Sequence, residues 1–220
     1  MAAAVAAAAA AAVSAAAAAT AAVAAAVSTA VAACVEQGAA QPLAYLAQRL
    51  AERAAEVALD FDYKSLCAEL KALVRSHGCA TELVRLSWHD AGTFDNTIGT
   101  WPQCGGANGS IRFDSEMDHG ANAGLKKAMG YLKQFNDKYP NLSWADLIQL
   151  ACATAIECAG GPKMYMRYGR VETATPEQCP KEGNLPDAEA PYHDGADPDA
   201  ATHLRRVFYR MGFDDREIVA

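Results

Sequence analysis

The chain has 220 residues, a formal net charge of −7 and 52% hydrophobic residues. That is enough apolar material for one packed domain plus an appendage, and the negative balance argues against nucleic acid as a partner. Seven cysteines, at positions 34, 67, 79, 104, 152, 158 and 179, are odd in number and form no C-x-x-C. They read as reduced thiols of an intracellular compartment, with no spacing suited to a cysteine metal site.

Residues 1–22 are an Ala-rich low-complexity segment, and Glu36 is the only charged side chain before Arg49. A transit peptide carries arginine early and a secretory signal has a basic start; neither is present. The tract is long enough to cross a bilayer, yet alanine is weakly apolar and no basic anchor flanks it. A membrane span, an atypical organelle signal and a soluble helix or tail therefore stay open, with alanine's helix propensity favouring the last.

Residues 23–56 carry a second pattern. Val23, Val27, Val31 and Val35 fall at i+4 steps, Gly38 is a stop signal, and Gln41-Pro42 opens a second helix on which Leu43, Leu46, Ala47, Leu50 and Ala54 keep helical spacing. Two short amphipathic helices cannot bury their faces alone, so this segment is a candidate docking or dimerisation module. An ordinary helical extension of the body is the equal alternative.

Residues 57–220 form the body. Tyr63 to His77 has Leu66, Cys67, Leu70, Leu73 and Val74 on one helical face. In the stretch Arg85-Leu-Ser-Trp-His89 a guanidinium and an imidazole stand four residues apart, so on a helix they share a face, with Trp88 beside them. A fixed cation next to a base that titrates near neutrality can take a proton from one oxygen and hold charge on its neighbour, as splitting a peroxide bond requires. Residues 92–112 are Gly-rich and read as loop. Gly124 to Phe135 and Ser143 to Ala159 read as helices, 160–200 as a Gly-, Pro- and Asp-rich loop, and His203 to Met211 as another helix. His77 and His193 are expected in solvent and His203 on an outward helix face. No alternating strand pattern of useful length occurs, so the fold class expected is all-α.

The run Leu83-Val-Arg-Leu-Ser-Trp-His-Asp-Ala-Gly-Thr-Phe-Asp95 resembles the distal helix of class I haem peroxidases, the group of ascorbate peroxidase and cytochrome c peroxidase. Glu116 to Leu125, Leu142 to Ala151, Glu157 to Pro162, Gly169-Arg170, Glu182-Gly-Asn-Leu-Pro-Asp-Ala188, His203 to Phe208 and Met211 to Ala220 continue the resemblance in family order, over roughly residues 60 to 220. It implies the distal half of the haem peroxidase fold behind an Ala-rich helical extension, and reduction of hydrogen peroxide with a small-molecule or protein electron donor. By resemblance His89 is the distal acid–base, Arg85 the distal arginine, and Trp88 the aromatic over the haem plane. Asn122 is the residue that accepts the histidine N–H, and Glu116 supplies the carboxylate that holds Asn122. Trp88, Arg85, Pro186 and Ala188 would contact the cofactor, haem b. His119 occupies a family histidine position beside them.

The same resemblance sets expectations about what is missing. In the family a segment like Asp215 to Ala220 is followed by the proximal histidine that holds iron, so no metal ligand is expected in this chain, and haem binding by residues 1–220 alone is expected to be weak or absent. The lysine that the ascorbate-using branch carries eight residues before its distal arginine is His77 here, and Gly99 to Asn108 and Gly195 to Ala200 hold insertions, so the reductant stays open, ascorbate included. Pro42-Leu-Ala-Tyr-Leu-Ala-Gln-Arg-Leu50 has a shorter resemblance to the docking-and-dimerisation helices of protein kinase A regulatory subunits. It implies the rival reading, a peroxidase-derived subunit that pairs with itself or with an amphipathic scaffold helix, in a ciliary axoneme for example. The other expected compartments are plastid and mitochondrion.

Overall fold

A computed structural model describes residues 62–219. The segments 1–22 and 23–56, with the expectations attached to them, lie outside those residues. Among the described residues the architecture is helical, with one isolated β-bridge, Tyr192 to Asp197, and no strand. The elements are α1 (Tyr63–His77), α2 (Ala80–Ala91), the single turn α3 (Asp114–Met117), α4 (Lys126–Lys138), α5 (Trp144–Cys158), α6 (Ala200–Arg210) and the short α7 (Asp215–Val219). No described helix is long and apolar enough to cross a membrane, and the six described cysteines are free thiols.

Helix α1 buries Leu66, Leu70, Leu73 and Val74, the i, i+4, i+7, i+8 stripe of an amphipathic helix. Each such leucine contributes roughly 1.5–3 kcal/mol when taken fully out of water. The helix stops at Gly78, whose φ of +61° closes the turn while its N–H donates to Val74 O at 3.0 Å. Helix α2 buries Leu83, Leu86, Ser87 and Asp90, an i, i+3, i+4, i+7 stripe carried by a mixed set. That choice of face turns Arg85, Trp88 and His89 the other way.

Helix α5 is the centre of the core. It buries Ala145, Leu147, Ile148, Leu150, Ala151, Ala153 and Ala155, residues from nearly every side of the helix, as expected of an element surrounded by others. Ser143 caps it, its hydroxyl accepting Asp146 N–H at 3.1 Å. Packing of α2 on α5 is the most extensive in the fold. Small alanines let the helices approach, and one polar pair fixes the register: Ser87 Oγ donates to Gln149 Oε1 at 2.9 Å, and Gln149 Nε2 donates back to Ser87 O at 3.3 Å. Helix α4 adds Ala128, Leu132 and Phe135 to the same core.

Two helices differ in extent from the sequence reading. Helix α4 starts at Lys126 rather than Gly124, because Gly124 sits at φ +86° and is still turning the chain. Helix α6 begins at Ala200, three residues earlier than expected, because Asp199 caps it by accepting Thr202 N–H at 2.8 Å. One placement is corrected outright: His203 does not face outward. It is 1% exposed and shares the buried face of α6 with Val207.

Candidate functional site

A cleft of about 390 Å³ opens between α2 and the loop 182–188, and Arg85, Trp88, His89, Asn122, Pro186 and Ala188 all line it. The sequence-derived site residues on α2 and on the loop thus meet in one place, although about a hundred positions separate them.

Hydrogen bonding settles the protonation pattern of the imidazole. Asn122 Nδ2 donates to the main-chain carbonyl of Glu116 at 2.8 Å, which points Oδ1 toward α2. Oδ1 lies 2.7 Å from His89 Nδ1 and can only accept, so Nδ1 carries the proton. Nε2 is left with a lone pair, and no hydrogen-bond partner meets it among the described residues. Burial holds the His89 pKa below the usual 6.5; the Arg85 charge adds to that, and the Asn122 bond opposes it. The ring is a neutral base at neutral pH.

Arg85 is held open to the cleft by two main-chain carbonyls. Its Nη1 donates to Ala123 O at 2.9 Å and its Nη2 to Ala121 O at 2.7 Å. The segment that brings Asn122 to His89 therefore also anchors the guanidinium, which leaves its remaining N–H groups for a ligand. Trp88 stacks on Phe208 of α6, with ring centroids 5.5 Å apart and planes 10° from parallel.

Glu116 requires a correction. It does hold Asn122, but through its backbone carbonyl and not through its carboxylate. The carboxyl group is buried, 1% exposed, and neither oxygen has a hydrogen-bond partner among the described residues. Burial drives its pKa up to about 8; the charge of Asp90 adds to that, and the nearby Ser110 hydroxyl and Cys179 thiol oppose it without reaching hydrogen-bond geometry. Asp90 itself is fully buried. Burial pushes its pKa to about 7, although Gly109 N–H donates to Oδ2 at 3.0 Å and Ile111 N–H to Oδ1 at 3.4 Å. Its place is structural, tying the 105–112 loop to the back of α2.

The loop wall has no regular structure and is pinned by side chains. Glu182 Oε1 accepts Gly120 N–H at 2.6 Å, and Asn184 Nδ2 donates to Thr93 O at 3.4 Å. Leu185 closes on the end of α2 at Gly92, where an added Cβ would lie 2.6 Å from Leu185 Cδ2 and 2.9 Å from Trp88 O, so glycine alone fits. Arg210 is the strongest pin. Its Nη1 donates to Thr93 O at 3.0 Å and to Phe94 O, and its Nη2 to Gly92 O and Asn184 O at 2.8 Å each. Sequence reasoning missed both Arg210 and His203. For His203 a signal existed, since it stands four residues before Val207 on the buried stripe of α6; for Arg210 there was none.

Trp88 and His89 line the cleft together with Pro186 and Ala188, which add apolar surface to it. A base with a free lone pair and a guanidinium face the interior. Of the remaining histidines, His77 and His193 are exposed. His119 lines the cleft, and His203 has both ring nitrogens engaged.

Residues 66–220 match the family model described as Peroxidase. The chain is 56% identical over 160 residues to probable L-ascorbate peroxidase 7, chloroplastic, of Oryza sativa subsp. japonica, an alignment that covers 72% of this chain and 42% of that protein. L-ascorbate peroxidase T, chloroplastic, of Arabidopsis thaliana is 57% identical over 152 residues, 69% of this chain and 34% of that protein. Probable L-ascorbate peroxidase 4, peroxisomal, of Oryza sativa subsp. japonica is 47% identical over 151 residues, 69% of this chain and 46% of that protein. The chain thus spans between a third and a half of the length of these relatives. None of them supports a ciliary scaffold or a dimerising partner.

Proposed function

The chain belongs to the peroxidase family, in its class I haem branch, and on that premise we propose that it forms the distal side of a haem peroxidase that reduces hydrogen peroxide at the expense of ascorbate. The observation that carries this reading is the His89–Asn122 pair at 2.7 Å, in one cleft with an anchored Arg85.

Haem, when bound, supplies the redox-active iron. Trp88, Pro186 and Ala188 would flank it, and we take the group to be haem b. The protein's own part is proton handling. Nε2 of His89 takes a proton from one oxygen of hydrogen peroxide and returns it to the oxygen that leaves as water. Asn122 keeps that nitrogen bare by holding the ring proton on Nδ1. Arg85 donates to the leaving oxygen as negative charge collects there, and the Ala121 and Ala123 carbonyls hold the guanidinium in place so that it need not reorganise. The two electrons come from the reducing substrate. Ascorbate is the donor proposed, because the relatives are named for it. The plastid is the compartment proposed, because the relatives of 56% and 57% identity are named chloroplastic.

The test is a pyridine haemochrome assay on the natural full-length protein, joined to peroxide-dependent oxidation of ascorbate, guaiacol and reduced cytochrome c side by side. A haem b spectrum with ascorbate preferred is the expected result. A full-length protein that takes up no haem, or prefers reduced cytochrome c, defeats the respective part of the reading.

A further inference from the structure

The chemistry above employs α2 and Asn122 and leaves a buried histidine on α6 without a task. His203 reaches the loop wall of the cleft. Its Nε2 accepts the main-chain N–H of Asp187 at 2.8 Å, and its Nδ1 lies 2.7 Å from Asp197 Oδ2. A ring nitrogen that accepts from an amide bears no proton. The ring is therefore neutral, and its one proton sits on Nδ1 and is donated to Asp197. Asp197 is fixed in turn by Arg206 Nε at 2.7 Å, and Tyr192 stacks on the imidazole with centroids 5.2 Å apart. The other charged neighbours are few. Arg206 Nη2 is 3.2 Å from Nδ1, Asp187 Oδ2 is 3.6 Å from Nε2, and the charge of His193 is felt at Asp197.

We infer that His203 is a positioning residue that latches the loop wall of the cleft through Asp187, and that protonating it releases the latch. This deepens the peroxidase reading, since the wall it sets is the one proposed to flank haem. A proton taken from solvent on Nε2 turns the acceptor into a donor. The Asp187 N–H then loses its partner, and the nearest new partner for the ring is the Asp187 carboxylate, which now accepts the N–H of His193 at 2.7 Å. The main chain at Asp187 has to turn to make that exchange. Pro186 and Ala188, on either side of it, line the cleft and move with it.

The experiment reads the latch without haem or turnover. In the full chain, ¹⁵N NMR reports the His203 tautomer, and hydrogen exchange, corrected for its intrinsic pH dependence, reports protection of the Asp187 amide. The expected wild-type result is an Nδ1–H tautomer while the ring is neutral and roughly tenfold loss of Asp187 protection once the ring is charged. His203→Gln keeps an acceptor for Asp187 and a donor for Asp197 and cannot titrate, so its protection should hold across the pH range. His203→Leu should lose protection at every pH. If that variant does not fold, the comparison of wild type with His203→Gln still decides. An Nε2–H tautomer, unchanged protection after the ring charges, or a His203→Gln profile that follows wild type overturns the inference. A failed peroxidase assay would leave each of these outcomes readable.

Discussion

The cleft has two walls made by opposite means. The α2 wall is a regular helix whose buried face, Leu83, Leu86, Ser87 and Asp90, dictates where Arg85, Trp88 and His89 point. The loop wall, 182–188, has no internal repeat and takes its shape from contacts elsewhere: the Arg210 and His203 side chains, the Gly120 amide and the backbone of Thr93. The proposed chemistry sits on the wall that local spacing determines. Shape sits on the wall that distant contacts determine. Substitutions on the first should therefore alter rate with little change in stability, and substitutions behind the second should do the reverse.

The largest expected effect is on the helix wall. His89→Leu removes the cleft base whose Nε2 lone pair is left bare by the Asn122 contact, and should slow peroxide reduction by roughly 10²–10⁴-fold with haem content unchanged, measured by stopped-flow mixing with hydrogen peroxide. Equal loss of haem would mean that the residue is structural and the contrast between the walls false. The same step should fade with acid, as His89 takes up a proton, with a midpoint below the ordinary 6.5 because burial depresses the folded-state value. A midpoint above it would contradict the geometry.

Next comes Arg85→Leu, expected to slow the same step by roughly 10²–10³-fold. Its melting temperature should hardly move, because the guanidinium is exposed and its two carbonyl partners regain water. On the loop wall, Arg210→Met should cost roughly 2–3 kcal/mol in denaturant unfolding, since several carbonyls lose a charged donor together. The peroxide step should persist in whatever fraction stays folded. A rate loss larger than the stability loss would erase the distinction drawn between the walls.

The smallest effect tests the buried carboxyl behind them. Glu116 is held above its unfolded value, at about 8. The folded state then binds the proton more tightly, so stability contributed by the neutral form is full below the unfolded value of 4.5 and is lost as pH rises toward about 8. Glu116→Gln should flatten that decline and raise stability at pH 8 by roughly 1–2 kcal/mol. The Asn122 contact should survive, because it is made by the main chain of residue 116.

The contrast also explains what could be read in advance. Arg85, Trp88 and His89 follow from i, i+4 geometry, and the all-α class follows from helical stripes such as Leu66, Leu70 and Leu73. Asn122 and Glu116 lie in a segment of two short turns, where no periodicity speaks; resemblance supplied them, and it named the residue Glu116 rightly but the wrong atom. Pro186 and Ala188 also came from resemblance. His203 was misread because a histidine beside Leu204 and Arg205 looks like surface, whereas the i+4 step to Val207 marks the buried face. Arg210 left no trace, because its partners are backbone carbonyls and any residue type supplies those.

Arg210 also sets a timetable. Its partners Thr93 and Gly92 precede it by 117 and 118 positions. On a ribosome adding about 5–20 residues per second, α2 waits on the order of ten seconds before the residue that will clamp its end has been made. Closing so long a loop is also entropically slow compared with helix formation. Arg85, Trp88 and His89 are thus exposed on a nascent helix well before the wall opposite them exists, and a chaperone or a cofactor-delivery step that acts during synthesis meets a half-open groove and not a finished cleft.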